Sequence, residues 1–149
     1  MTQILYTMQF TGKAVPANDA GTILKAATTA PSCTITTVVG ANGVRGSLQP
    51  TNGGQATFES QVTFTDETAF QEEGSITFGD GPHRLYFSTV GQGYIGPSAD
   101  PHVKHGAVIW QVEHGEGQFA GATGLITSNF FVSSSGEVTD NHCGVLFVK

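Results

Sequence analysis

Two-residue alternation of apolar and polar side chains constrains the fold of this chain more than any other feature. Residues 55–65 show it most clearly. One face there carries Ala56, Phe58, Val62 and Phe64, and the other carries Thr57, Glu59, Gln61 and Thr63. Residues 3–12 repeat the pattern, with Ile4, Tyr6, Met8 and Phe10 on one face, and only Leu5 breaks it. Because successive side chains of a strand point to opposite faces, both segments are predicted to be half-buried β-strands.

Short turn sequences separate further strand-like segments along the chain. These strands are predicted near 34–39, 43–49, 70–79, 83–94, 103–114, 124–133 and 142–148. Turn residues punctuate them at Asn42-Gly43, Asn52-Gly53-Gly54, Asp80-Gly81-Pro82 and Ser135-Gly136. Connections this short join antiparallel neighbours, whereas parallel neighbours need long crossovers. Residues 1–149 are therefore predicted to form a single all-β domain with an antiparallel sheet.

About eight antiparallel strands in one domain predict a closed barrel, with a two-sheet sandwich as the alternative. Closure removes exposed strand edges. An eight-stranded barrel has an interior that side chains fill or that holds one small ligand. The strand at 103–114 favours a ligand cavity, because polar residues occupy the face opposite Val108, Trp110 and Val112. We therefore predict an eight-stranded antiparallel barrel.

The segment from Val15 to Ser32 is the least regular part of the sequence. Asn18 and Asp19 suit the N-cap of a short helix from Ala20 to about Thr28. Gly21 and the threonines of the segment disfavour a helix, and a long surface loop is the alternative.

The charge distribution excludes two classes of partner. The chain has a formal net charge of −6, and its six Lys and Arg residues are scattered singly. Nucleic-acid binders show a basic stripe, and membrane-surface binders show a polybasic cluster. We expect neither partner. The segment Glu59–Asp80 holds acids and no base, and we interpret it as a solvated acidic face.

The N-terminus and the cysteines predict a cytoplasmic protein. No apolar run approaches the roughly 18 residues that span a bilayer. The opening MTQILYTMQF has no basic start and no small-residue cleavage site. Cys33 and Cys143 form no Cys-x-x-Cys pair, so two buried free thiols are expected, with a single bridge as the alternative. Cys143 shares a strand face with Val145 and Phe147 and is predicted to be a core thiol.

The last third of the chain carries the pattern Gly-x-Gly-x-Phe-x-Gly-Ala-x-Gly, from Gly115 to Gly124. A strand, the string Ser-Gly-Glu-Val and a closing strand follow it. This resembles the allene oxide cyclase barrel-like group, which includes allene oxide cyclases, plant dirigent proteins and small uncharacterised bacterial proteins. The bacterial members are the most similar, and residues 70–149 carry the resemblance.

The resemblance implies an eight-stranded antiparallel barrel whose site binds and shapes a small hydrophobic substrate. Its glycine-rich corner precedes the final hairpin. Gly115, Gly117, Gly121 and Gly124 would allow positive φ and a sharp bend at the barrel rim. Phe119 would plug the barrel end.

Sequence motifs for metal or nucleophilic chemistry are absent. His102 and His105 are three residues apart, so on a regular strand they point to opposite faces and do not chelate one ion. The string Gly-x-Ser-x-Gly does not occur, and neither cysteine has a neighbouring charge that would activate it. We therefore expect no metal and no cofactor.

The candidate site consists of polar residues predicted to face the apolar interior. A carboxylate buried in an apolar pocket has a raised pKa and can act as acid or base. Glu59 is predicted to take that role, with Tyr86 or His105 as its proton partner. The ligand-binding residues are predicted to be Gln61, Trp110, Gln111 and Asn129. The alternative is that Glu59 faces solvent on an amphipathic strand.

Three functions fit these expectations. The first is a cofactor-independent isomerase, cyclase or lyase acting on a small hydrophobic molecule. The second is a non-catalytic binding barrel for an apolar metabolite, and the third is an oligomeric interaction protein. An inward carboxylate in a closed cavity favours the first function, and a wholly apolar cavity favours the second. A filled interior with an apolar outer patch favours the third, in which the chain forms a homo-oligomer.

Overall fold

A computed structural model describes residues 1–149, and most of them lie in β-strands. The elements are β1 Thr2–Pro16, β2 Ile23–Gly40, β3 Gly43–Phe64, β4 Ala69–Phe78, β5 Arg84–Thr89, β6 Gly93–Pro97, β7 Val103–Glu116, the 3-10 helix η1 Gly117–Phe119, β8 Thr123–Ser133 and β9 Glu137–Val148. The chain contains no helix with the length and apolar character needed to cross a membrane.

The strands form one antiparallel sheet that closes on itself. Hydrogen bonds connect the strands in the order β3-β2-β1-β9-β8-β7-β5-β4, and β4 pairs in turn with β3. Eight strands thus form a ring. β5 and β6 share one place in the ring, between β4 and β7. Each of them pairs antiparallel with both of these strands, over different stretches of their length. The predicted all-β antiparallel architecture is confirmed, and the sheet is continuous rather than split into two layers.

Side chains of alternate residues fill the inside of the ring. Trp110, Phe10 and Phe58 are among the largest fully buried side chains. The aromatic rings of Phe87 and Trp110 lie 4.4 Å apart between centroids, and that of Phe58 lies 5.4 Å from each. The inward face predicted for residues 55–65 is confirmed, because Ala56 and Phe58 are buried while their neighbours in sequence are exposed.

The segment after Val15 contains neither the short helix predicted from Ala20 to Thr28 nor a long loop. β1 continues to Pro16, and β2 begins at Ile23 after a tight turn. The side chain of Asn18 holds this turn, because its Oδ1 accepts hydrogen bonds from the backbone N–H groups of Thr22 at 3.0 Å and Ile23 at 3.2 Å. Ala26, Thr28 and Ala30 are buried at alternate positions of β2, as in a half-buried strand. This packing of β2 in the sheet outweighs the weak N-cap signal of Asn18 and Asp19.

The prediction that both cysteines are buried is wrong. Cys33 is half-buried, Cys143 is exposed, and both thiols are free. The inward positions of β9 belong to Asp140, His142 and Gly144 instead. The outward face of β9 is itself rich in apolar residues, so hydrophobicity alone does not identify the inner face of this strand.

The glycine-rich corner packs Phe119 into the core between β7 and β8. Phe119 on η1 is buried, and its ring centroid lies 5.2 Å from that of Phe78. Gly117 adopts a φ of +61°, in the left-handed region that favours glycine. Gly115 has no positive φ, but a Cβ there would clash with the carbonyl oxygen of Phe119. Both glycines therefore let the chain fold back at this corner.

Candidate functional site

An apolar cavity of about 60 Å³ lies inside the ring, close to the β1–β2, β3–β4 and β8–β9 turns. Its apolar lining residues are Ala14, Leu24, Ala26, Phe58, Val62, Phe64, Phe70, Ile95, Phe130, Val132 and Val138. Three polar residues, Thr28, Glu72 and Asp140, also line the cavity. A small apolar space with two carboxyl groups is the most chemically distinctive feature of the interior.

Glu72 is a buried carboxyl with a raised pKa. Ser60 Oγ lies 2.6 Å from its Oε1, and the indole N–H of Trp110 donates to its Oε2 at 3.2 Å. Burial raises the pKa of Glu72 to about 8, with a further contribution from the charge of Asp140. At neutral pH Glu72 is therefore mostly protonated and can donate a proton.

The strand pairing is irregular beside Glu72. The backbone N–H of Glu72 donates to Thr89 Oγ1 at 2.7 Å, and the Thr89 hydroxyl donates to the Glu72 carbonyl oxygen at 2.8 Å. The side chain of Thr89 thus replaces a backbone partner at the junction between β5 and β6. Such irregularities are common next to functional sites, where they change the direction of a side chain.

Asp140 is the second buried carboxyl. The Ser128 hydroxyl donates to its Oδ1 at 2.6 Å, and His142 Nε2 lies 2.9 Å from its Oδ2. The imidazole stacks on Phe10 with 4.2 Å between centroids. His142 Nδ1 is buried without a hydrogen-bond partner. An N–H at Nδ1 would have no acceptor, so the imidazole proton belongs on Nε2, where it is donated to Asp140.

The two carboxyls occupy opposite sides of the ring. The pairs Ser60–Glu72 and Ser128–Asp140 each join neighbouring strands and are each separated by 12 residues. In the ring order, the β3–β4 pair lies directly across from the β8–β9 pair. No Lys or Arg is buried in the interior. The cavity lining therefore contains two hydrogen-bonded acids and no Lys or Arg to bind an anion.

Two further polar groups inside the ring have no partner. The hydroxyls of Tyr6 and Thr28 are buried without a hydrogen bond. Burial, followed by the charge of Asp140, raises the pKa of Tyr6 well above its usual range. Thr28 is also one of the residues that line the cavity. Unpartnered buried polar groups are costly, and a ligand that hydrogen-bonds to them offsets that cost.

The residues predicted to form the site lie elsewhere. Glu59, Gln61 and Tyr86 line a shallow groove of about 650 Å³ on the outer wall. Tyr86 Oη donates to Glu116 at 3.0 Å, and its ring stacks on His114 with 4.3 Å between centroids. The prediction that Glu59 and Tyr86 point into an interior cavity is wrong, because both belong to the outward set of side chains.

Three of the four remaining predicted residues also lie outside the interior. His105, Gln111 and Asn129 are exposed on the outer wall, whereas Trp110 is buried beside Glu72. The structure therefore does not bring His105 together with Glu59 and Tyr86. Of the predicted site residues, only Trp110 contacts the interior carboxyls.

The alternation of apolar and polar residues could have identified Glu72, Asp140 and His142, which the sequence prediction did not include. Glu72 has the same parity as Phe70 and Ile76, which are buried core residues of β4. Asp140 and His142 likewise share their parity with Leu146 of β9. A polar residue in phase with a run of core residues points inward, whereas Glu59 is out of phase with the core residues of its own strand.

Comparison of the chain with protein-family models, with curated proteins and with solved structures finds no match. Function is therefore inferred from the cavity and its polar groups.

Proposed function

We propose that this protein binds a small hydrophobic molecule inside the ring and acts on it as a cofactor-independent isomerase or cyclase. The carboxyl group of Glu72, with its pKa raised to about 8 at the wall of an apolar cavity, supports the proposal most directly. A carboxylic acid that retains its proton near neutral pH is suited to general acid catalysis.

The polar groups of the cavity favour a neutral ligand with an oxygen acceptor. The protonated Glu72 and the unpartnered Thr28 hydroxyl are both potential donors. A carboxylate ligand would meet no buried Lys or Arg to neutralise it. The volume of about 60 Å³ is far below the roughly 300 Å³ of ordinary ligand pockets. The ligand is therefore small, or only its end enters the cavity.

Proton transfer between two acids is a redox-neutral route to isomerisation. For a ketone, Glu72 would donate its proton to the carbonyl oxygen while the carboxylate of Asp140 accepts a proton from the adjacent carbon. The electron pair of that C–H bond forms the C=C bond of an enol, and no oxidant or reductant takes part. When the ketone is β,γ-unsaturated, this enol is a conjugated dienol. Asp140 would then return its proton to the γ carbon while the Glu72 carboxylate takes back the hydroxyl proton, which gives the conjugated isomer and restores both side chains. The opposed placement of the two carboxyls supports this division of roles.

The fold argues for the allene oxide cyclase-like group as the proposed family. Support comes from the closed ring of eight antiparallel strands and from the glycine-rich corner that precedes β8 and β9. We also propose a cytoplasmic location, which the two free thiols favour.

Binding is tested with 2-hexanone and hexanoate, two probes of equal chain length with a neutral and an anionic head. Ligand-observed NMR at pH 6.5 should detect saturable binding of 2-hexanone and much weaker binding of hexanoate. Ala26→Leu fills the cavity and should abolish the binding, whereas Ala27→Leu on the exposed side of the same strand should not. Equal binding to both variants would place the probe elsewhere.

Proton transfer is tested by exchange of the 2-hexanone α-hydrogens with deuterium in D₂O. The wild-type protein should accelerate exchange above the buffer rate. Glu72→Gln should remove the acceleration, and Glu73→Gln on the exposed side of β4 should retain it. Binding without exchange would favour the second function, a non-catalytic barrel for an apolar metabolite.

A further inference from the structure

The hairpin formed by the outer halves of β2 and β3 projects from the ring. A register shift between Pro31 and Cys33 marks the point where it departs. Beyond that point residues 33–40 pair only with residues 43–50, and every residue from 34 to 55 is exposed. We call residues 33–50 the arm. A two-stranded ribbon on its own is marginally stable in water, so a contact that covers the arm would stabilise it.

One face of the arm is apolar. The register places Ile35 opposite Leu48 and Val39 opposite Val44, and cross-strand partners share a face. Val39 is 80% exposed and Val44 is 69% exposed. The opposite face is polar apart from Val38, and it carries Arg45, which is the only charged residue of the arm. The arm is therefore amphipathic, with its apolar face in solvent.

The outer wall formed by three neighbouring strands is uncharged, like the apolar face of the arm. The outward residues of β1 from Gln3 to Thr11, of β9 from Thr139 to Phe147 and of β8 from Thr123 to Phe131 include no charged side chain. We call this surface the neutral wall. Leu5 is 68% exposed and Leu125 is 51% exposed, and both pair in register with Val145 between them. The wall thus has an apolar row at its centre.

The arm and the neutral wall form one continuous surface. The part of β1 before Thr11 pairs with β9 but not with β2, so one edge of β1 is free where the arm departs. A groove lined by Leu5, Thr7, Cys33 and Ile35 connects the two surfaces. Cys33 Sγ lies 3.7 Å from the Thr7 carbonyl oxygen at its base.

We propose that two copies of this chain pair through a twofold axis, each placing the apolar face of its arm on the neutral wall of the other. Each copy carries a formal charge of −6, so association is least opposed where neither surface is charged. The twofold arrangement makes the contact twice, because arm and wall are both present on each copy.

The expected contact area is sufficient for a dimer. Strands of eight residues, paired at normal spacing, give an arm face roughly 26 Å long and 10 Å wide. Two arms and the two wall areas that they cover bury about 1,000 Å² in all, which is in the range of weak, reversible protein–protein interfaces. The arm–wall contact therefore accounts for a weak, reversible dimer.

The proposal is tested by sedimentation equilibrium of the full chain. The wild-type protein should dimerise reversibly, with dimers prevailing at about 100 μM and above. Val39→Lys with Val44→Lys should weaken the dimer by about 100-fold or more, because it places two charges in an apolar contact. Thr36→Lys with Ser47→Lys adds the same charges to the polar face of the arm and should leave the dimer intact. A monomeric wild-type protein, or equal loss in both variants, would overturn the proposal.

A charge-swapped pair distinguishes the arm–wall contact from other dimers. Leu5→Glu with Leu125→Glu changes the neutral wall and should give a monomer alone. Mixed with the arm variant Val39→Lys with Val44→Lys, it should form a heterodimer, because one native contact and one Lys–Glu contact result. A mixture that stays monomeric would exclude the arm–wall contact, even if the wild-type protein is a dimer. Circular dichroism of each variant verifies that the sheet is retained.

Discussion

The indole N–H of Trp110 on β7 donates a hydrogen bond to Oε2 of Glu72 on β4 over 3.2 Å, inside the ring. Trp110 is the only tryptophan of the chain, so its fluorescence reports on this carboxyl directly. The same contact joins a sequence-predicted site residue to one that the sequence analysis missed.

The emission wavelength of Trp110 fluorescence should therefore change when Glu72 loses its proton. We expect a shift to longer wavelength with a midpoint near pH 8, the raised pKa of Glu72. Excited indole is electron-poor at its N–H end, and a carboxylate placed there stabilises that state. Glu72→Gln should abolish the transition, and Glu73→Gln should keep it. A transition near pH 4.5 would show that Glu72 has an ordinary pKa.

The free energy of unfolding should fall as the pH rises. Burial raises the pKa of Glu72 from 4.5 to about 8, so between these values the folded state holds a proton that the unfolded state has released. The loss between pH 4.5 and 8 amounts to at most about 5 kcal/mol and ends above pH 8. Urea denaturation across this range should show a flatter profile for Glu72→Gln than for the wild type or Glu73→Gln. Parallel profiles would contradict the prediction.

Tyr6→Phe should stabilise the protein. The Tyr6 hydroxyl is buried without a hydrogen-bond partner, so its removal relieves an uncompensated desolvation cost. We expect a gain of about 1 kcal/mol, opposite in sign to most substitutions. Urea denaturation at pH 7 measures it. A loss of similar size would show that the hydroxyl has a partner, such as a bound water.

Asp140→Ala should destabilise the protein by about 3 kcal/mol, because two buried donors would lose their acceptor. These donors are the Ser128 hydroxyl at 2.6 Å and His142 Nε2 at 2.9 Å. The matched variant Cys143→Ala changes an exposed residue of the same strand whose thiol is free, and it should cost no more than about 0.5 kcal/mol. Thermal unfolding of both variants provides the comparison, and equal losses would show that the Asp140 network contributes nothing.

The sequence predicted the fold better than the site. Alternation of apolar and polar residues identifies a strand from its own sequence, as it did at residues 55–65. Short turns make neighbouring strands antiparallel, so the antiparallel arrangement could also be predicted. The site depends on which face of each strand turns inward. Glu59 and Glu72 are both acids on alternating strands, but only Glu72 is in phase with the core residues of its own strand. On β9 the outward Cys143 shares its face with the apolar Val145 and Phe147. The apolar pattern of that strand therefore predicted the wrong face as buried.

The unpaired hydroxyls and the placement of the two carboxyls on opposite sides of the ring could not be predicted from the sequence at all. They depend on the order of strands around the ring, which places β4 opposite β9. Nothing in a local pattern determines that order, because it results from pairing between distant parts of the chain.

Closure of the ring also determines how this chain folds. The final ladder joins β1 to β9, the first strand to the last, from Thr2 and Val148 to Lys13 and Glu137. Forming it requires a loop of nearly the whole chain to close, whereas the β2–β3 hairpin needs only local contacts. The hairpins therefore form early and the β1–β9 ladder forms late, in milliseconds to seconds as in other proteins of high contact order. Until it forms, β1 and β9 present free edges, so refolding at high concentration competes with aggregation.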